Sequence, residues 1–302
     1  MSSKIVSILR VPFGLGGARP GAHLGPEALI DAGLIRHLSK LPLILENEGE
    51  VAASIADPIP SETGHTKLKH LQEIVAVNTE LAARVSSIVD QGKFPLVLGG
   101  DHSIAIGTIA GLTQHYKNIG IIWFDAHGDL NTEDTSPTGN IHGMSLAVNL
   151  GRGHELLTHI KQQGSNIDPK KVVIIGARQL DDGEKAWIRS SGITCFTMHD
   201  IDRLGMSHVI TEALRIVGQD TDGVHLSFDI DSLDPYEAPG TGTAVQGGVN
   251  YREAHFALEM MAESGLITSA EFVEVNPLLD SNNRTVRLTN ELICSLMGQR
   301  IL

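Results

Sequence analysis

Seven stretches of this chain read as strands, and most of them are continuous apolar runs: 4–10, 94–98, 119–124, 172–176, 193–197, 223–228 and 270–275. Strict alternation would mark strands with one wet face. Continuous runs of this length instead predict parallel strands covered on both sides. Between them the period changes. Leu68, Leu71, Ile74, Val75, Leu81, Val85, Ile88 and Val89 form one apolar stripe at helical spacing. Similar patterns predict helices near 104–116, 182–190, 205–217, 250–264 and 288–300. The alternation of strand and helix predicts an α/β fold of three layers, α-β-α, around a mainly parallel, doubly wound sheet with right-handed crossovers. No linker, repeat or shift in composition divides the chain, so residues 1–302 are expected to form a single domain.

Three loops are rich in Gly, Pro, Ser and Thr: 11–26, 132–144 and 234–249. The Phe13-Gly14-Leu15-Gly16-Gly17 stretch faintly suggests a dinucleotide loop, but Arg19 occupies the third glycine position and Pro20 and Pro26 interrupt the expected helix. The apolar stretch in Met1–Leu9 is too short for a signal sequence or a membrane span and predicts the first strand.

Charge narrows the partners. With 23 Lys and Arg against 36 Asp and Glu, the net charge of −13 argues against nucleic acid or an anionic membrane. It is compatible with a cationic substrate without establishing one. Cys195 and Cys294 are the sole cysteines, far apart and in apolar surroundings, which predicts two buried thiols in a reduced, cytoplasmic setting.

The chemistry concentrates where apolar runs end. Asp125-Ala126-His127-Gly128-Asp129 follows Ile119–Phe124; Gly99-Gly100-Asp101-His102-Ser103 follows Phe94–Leu98; Asp229-Ile230-Asp231 closes Gly223–Phe228. In an open parallel sheet such ends form the crevice where ligands bind. The period-two spacing of Asp125, His127 and Asp129 would put them on one face if the strand continued. Four carboxylates and two imidazoles are enough for two divalent ions, which would relieve the mutual repulsion of the carboxylates. A set rich in oxygen, with two nitrogens and no sulfur, favours Mn²⁺ over structural Zn²⁺. Ions in such pairs sit about 3.5–4 Å apart. Each motif alone has a plainer reading. A single Asp after a strand is usually a cap or turn former, and Asp101 is either that or a partner that orients His102. His225, inside a strand pattern, reads as a core or interface residue. His65, His70, His199, His208 and His255 lie in helical or turn patterns.

Taken together, the three motifs resemble the ureohydrolase superfamily and look closest to bacterial arginases. Thr138–Met144, Asp234–Pro235 with Ala238–Thr243, and Glu271–Pro277 resemble further parts of that family, so the likeness spans nearly the whole chain. It implies an arginase/deacetylase-like fold and two Mn²⁺ per subunit. His102, Asp125, Asp129 and Asp229 would hold one ion and Asp125, His127, Asp229 and Asp231 the other, with Asp125 and Asp229 bridging. A metal-bridging hydroxide would attack the guanidinium carbon of L-arginine to give L-ornithine and urea, with Asp129 orienting the nucleophile and passing its proton on. Glu274 would meet the guanidinium, since a carboxylate accepts two parallel N–H bonds. Thr243 would line the site nearby. His142 would shuttle protons near the product amine, a task its ordinary pKa suits. Asn131, Thr138 and Asn140 match positions that meet the α-carboxylate, and Asp181 the α-amino group. Thr138 stands where many arginases carry Ser and keeps the hydroxyl; Gln179 stands where many carry Asp and changes the charge near the ammonium.

The same resemblance leaves room for an agmatinase or another guanidino-hydrolase, such as a guanidinobutyrase or a formiminoglutamate hydrolase, with the same metal core. A zinc deacetylase would need a single ligand set, and a catalytically dead relative would not be expected to keep all six ligands, Glu274 and His142. The family also implies a homo-oligomer, a trimer or hexamer. The chain ends soon after the pattern Leu288–Gln299, so assembly is expected to use the body of the fold.

Overall fold

The computed structural model describes residues 4–51, 67–160 and 167–301. Among them eight strands form one sheet: β1 Lys4–Val11, β2 Leu43–Glu50, β3 Phe94–Gly99, β4 Ile119–Phe124, β5 Val172–Ala177, β6 Thr194–Thr197, β7 Gly223–Asp229 and β8 Ile267–Val273. Their order is β2-β1-β3-β8-β7-β4-β5-β6, and every pairing is parallel. The α/β expectation is met.

The continuous apolar runs are explained by two cores, one on each face of the sheet. Leu96, Leu98, Ile122, Phe124, Val173 and Ile175 face one core, while Val97, Ile121, Trp123, Val172 and Ile174 face the other. Helices Met206–Gly218, Tyr251–Ser264 and Arg284–Leu296 cover the first face; Leu71–Asp90 and Ala105–Leu112 cover the second. With both faces sealed, most positions of the interior strands are apolar regardless of their side.

The strand the pattern misses, β2, lies at a sheet edge. Its sequence, Leu-Ile-Leu-Glu-Asn-Glu-Gly-Glu, is only partly buried, and charge on an edge strand blocks unwanted pairing. The other edge, β6, is the shortest strand. Short helices at Gly25–Asp31, Leu34–Leu38, Ser145–Asn149, Glu155–Thr158 and Met198–Leu204 likewise escape the periodicity, being too short to display it. The last helix begins at Arg284 rather than 288, and the predicted strand 270–275 occupies 267–273.

Register delivers the site. Leu98 pairs with Phe272, Phe272 with Phe228, Phe228 with Phe124 and Phe124 with Ile175, a single row across five strands. Along it the ring of Phe228 stacks on Phe124 at 4.9 Å and tilts against Phe272 at 5.2 Å. Just beyond this apolar row the chain leaves the sheet, and the polar residues that follow meet above it.

Candidate metal centre and active site

At the end of β3, Gly100 permits a junction that no other residue allows: a Cβ there would fall 1.6 Å from the Phe13 carbonyl oxygen. The Asp101 N–H donates to that carbonyl (2.9 Å), and the Glu274 N–H donates to Gly100 O (2.7 Å). Asp101 then caps the turn His102–Ile104, accepting from the Ser103 N–H at 2.9 Å and from the Gly16 N–H at 2.8 Å. Of its two readings, the cap is the one observed; the outer nitrogen of His102 instead meets Ser227 Oγ at 2.8 Å.

The shared face expected for Asp125, His127 and Asp129 does not exist as such, because β4 ends at Phe124. A turn gathers them instead. Asp125 Oδ1 accepts from the His127 N–H (2.6 Å), Asp231 Oδ1 accepts from the Ala126 N–H (3.3 Å), and Asp129 takes a left-handed backbone at φ 50°. Asp229 and Asp231 meet in the same manner, with Asp229 Oδ1 accepting from the Asp231 N–H at 2.7 Å. Glu274 is also left-handed (φ 64°). Such backbone in residues with a Cβ is uncommon and tends to cluster at functional sites.

All six predicted ligands converge. His102 Nδ1 stands 3.1 Å from Asp125 Oδ2, 3.0 Å from Asp129 Oδ2 and 3.2 Å from Asp229 Oδ2. His127 Nδ1 stands 3.3 Å from Asp125 Oδ1 and 3.1 Å from Asp231 Oδ2. Two donor groups of cation-holding size result, His102–Asp125–Asp129 and Asp125–His127–Asp231. Asp125 belongs to both and gives one oxygen to each. His225 is fully buried within β7, as a core residue. None of His70, His199, His208 and His255 joins such a group, and His65 lies outside the described residues.

The electrostatics are those of crowded carboxylates out of water. Burial raises the pKa of Asp129, Asp229 and Asp231, and a neighbouring carboxylate raises each further. Burial also pushes Asp125 upward, but the adjacent imidazoles of His102 and His127 outweigh it and hold Asp125 below the ordinary range. Desolvation would lower His102; its three carboxylate neighbours instead hold it well above the ordinary histidine value.

The residues matched to substrate line adjoining cavities. One, of about 360 Å³, takes in His127, Asp129, Asn131, Thr138, Asn140, His142, Asp181, Asp229 and Thr243. The other, of about 330 Å³, adds Arg19 and Glu274. Asn131 Nδ2 donates to Asp181 Oδ2 (2.8 Å), Lys69 Nζ to Asn140 Oδ1 (2.9 Å), and Thr243 Oγ1 to Asp231 Oδ2 (2.8 Å). Glu274 is buried, and its Oε1 accepts from the His102 N–H (2.9 Å) and lies 3.0 Å from His142 Nδ1. Its pKa, which burial would raise, is lowered by His142. The reverse effect corrects the expectation for His142: burial lowers it, but Glu274 outweighs burial and brings it up to about 9.

Two parts of the site were not singled out from the sequence. Glu184 Oε1 accepts from the Leu130 N–H (3.0 Å) and Oε2 from the Asp181 N–H (2.8 Å), locking the two loops that carry Asn131 and Asp181. Its spacing three residues after Asp181 was the available signal, a capping box at the head of helix Asp182–Ser191. Trp123 stacks on His102 at 4.1 Å and donates to Asp125 Oδ2 at 3.1 Å. Nothing in an apolar run distinguishes such a residue from ordinary core.

An open parallel sheet bearing an acid-and-imidazole centre at its strand ends defines the class: an α/β protein built around a candidate two-cation site. The chain matches the Arginase family over residues 4–298. It is 51% identical to the arginase of Bacillus caldovelox over 299 residues, covering 99% of this chain and all of that one. The crystal structure of arginase from Bacillus cereus superposes with a TM-score of 0.93 at 50% identity, covering 99% of this chain and 100% of that one. Entamoeba histolytica arginase, solved in complex with L-ornithine, is 34% identical with a TM-score of 0.90 over 99% of this chain and 100% of that one. The chain therefore belongs to the arginase family and is a hydrolase of the arginase type.

Proposed function

We propose that the protein hydrolyses L-arginine to L-ornithine and urea with two Mn²⁺ per subunit. The observation that carries this reading is Asp125, whose two carboxylate oxygens are divided between two donor groups. The residues suit cations: His102 Nδ1 is buried and, among the described residues, makes no hydrogen bond, although three carboxylates surround it. A donor set of oxygen and imidazole without sulfur favours Mn²⁺. His102, Asp125, Asp129 and Asp229 would hold one ion, and Asp125, His127, Asp229 and Asp231 the other. When bound, such a pair acts as a Lewis acid that lowers the pKa of water towards neutrality.

The protein's own groups do the rest. Asp129 orients the attacking water and accepts its proton. A C–O bond forms at the guanidinium carbon, the bond from that carbon to Nε breaks, and the proton passes to Nε as it leaves as the ornithine amine. Glu274 holds the guanidinium, with Thr243 beside it, and His142 exchanges a proton between the amine and solvent. Asn131, Thr138 and Asn140 receive the α-carboxylate and Asp181 the α-ammonium. Their place on the wall of one cavity with Asp129 supports these roles. The reading extends to a cytoplasmic enzyme assembled as a trimer or hexamer, and the family match over residues 4–298 supports a single domain.

The test is urea release by the Mn²⁺-loaded protein, comparing kcat/KM for L-arginine and agmatine. Groups left unpaired by agmatine should impose a preference for L-arginine of about 10⁴-fold. Preference for agmatine would overturn the assignment of Asn131, Thr138, Asn140 and Asp181. Asp129→Asn should keep most of its metal while turnover falls roughly 10²–10⁴-fold; retained turnover would remove Asp129 from its role.

A further inference from the structure

Behind the centre lies a chain of polar side chains with no access to water. Ser227, Glu271, His225 and Ser269 are all fully buried, in neighbouring strands β7 and β8. His102 Nε2 meets Ser227 Oγ at 2.8 Å, and Ser227 Oγ donates to Glu271 Oε1 at 2.7 Å. His225 Nε2 stands 3.4 Å from the same Glu271 oxygen, an ion-pair separation, while its Nδ1 meets Ser269 Oγ at 2.9 Å. An ionisable pair sealed in a sheet interior is costly and adds little to stability by itself. We propose that Glu271, held by His225, is a positioning residue for the ion at His102, acting through the Ser227 hydroxyl. The inference rests on the two-ion reading above.

Hydrogen-bond direction carries the argument. To receive a cation, Nδ1 of His102 must offer a lone pair, so a neutral ring must carry its proton on Nε2. That N–H requires an acceptor, and Ser227 Oγ can serve only if its own hydrogen points elsewhere. A carboxylate cannot donate, so Glu271 draws the serine hydrogen towards itself and leaves Oγ free to accept from His102. Burial would raise the Glu271 pKa, but His225 and then His102 keep it below the ordinary range, consistent with an anion here. An amide in its place could donate to Ser227. The serine hydrogen could then turn to His102 Nε2 and favour the ring form with its proton on Nδ1, the atom that faces the three ligand carboxylates. Partners of a ligand histidine typically contribute 10–100-fold to metal affinity.

The experiment is calorimetric titration of the metal-stripped full-length protein with Mn²⁺, for wild type, Glu271→Gln, Ser227→Ala and the double variant. Wild type should take up two ions. Each single variant should weaken one binding step by roughly 10–100-fold and leave the other within about twofold. The double variant should bind no more weakly than Glu271→Gln, because the two residues form one path. A merely structural role would instead lower affinity at both steps or give additive losses, and either result overturns the proposal, as does wild-type affinity in both single variants. Should Glu271→Gln fail to fold, Ser227→Ala decides alone: one weakened step supports the path, and none overturns it. If wild type itself takes up no Mn²⁺, the two-ion reading fails first, and this inference falls with it.

Discussion

The two halves of the candidate centre are built to opposite plans. On the His102 side everything is interior: the side chain is 1% exposed, stacked on Trp123 and bonded to Ser227. On the His127 side the imidazole is 22% exposed, and its outer nitrogen lies 3.2 Å from Oε1 of Gln179, an exposed loop residue. One half is therefore held by the packing of the sheet and the other by loops that also border the cavity. The lesson is that a single carboxylate, Asp125, joins a region that cannot adjust to one that can. Close-packed interiors resist change far more than exposed contacts do.

The largest effect should come from cutting that joint. Asp125→Asn removes a charge common to both donor groups, so elemental analysis should find both ions depleted and urea release should drop at least about 10³-fold. Full metal content in this variant would separate the halves and end the comparison. Next, Trp123→Phe keeps a ring against His102 but loses the N–H to Asp125 and some buried volume. It should cost about 1–3 kcal/mol in denaturant unfolding and weaken Mn²⁺ uptake.

Glu184 tests the loop side. Burial raises it to about 7 from an ordinary 4.5, so its protonated form is the one the fold prefers. The resulting stability is complete below pH 4.5 and is lost as pH rises through 7. In metal-free protein, Glu184→Gln should therefore show a flatter dependence of Tm on pH across that window. Identical profiles would contradict the assignment. The smallest effect belongs to Gln179→Ala. An exposed amide contact should change Mn²⁺ affinity by no more than about threefold, well short of what a buried partner of a metal ligand contributes. A loss as large as that of Ser227→Ala would show the outer half to be as rigidly supported as the inner.

The thiols divide in the same way. Both were expected to be buried, yet Cys294 is interior and Cys195, on edge strand β6, is half-buried. Burial pushes Cys195 up to about 12 and Cys294 to about 11, which makes both poor nucleophiles near neutrality. No helix among the described residues is long and apolar enough to cross a membrane.

Much of this protein was settled along the chain itself. Seven apolar runs and the six candidate ligands could be read directly, because a strand covered on both faces is mostly apolar and because acidic and imidazole side chains recur at the ends of three such runs. The resemblance to known arginases supplied the remaining candidates, from Asn131, Thr138, Asn140 and His142 to Asp181, Thr243 and Glu274. The polar edge strand β2 was not legible, since an edge is a property of the sheet and not of the segment. Nor was the left-handed backbone of Asp129 and Glu274, which depends on bonds from distant loops. The division of Asp125 between two imidazoles, the stack of Trp123 on His102 and the sealed line from His102 to His225 exist only because strand order sets β8 and β7 between β3 and β4. Local spacing prescribes which residues are available, whereas hydrogen-bond direction and burial are relations between strands far apart in sequence, and only tertiary structure can decide them.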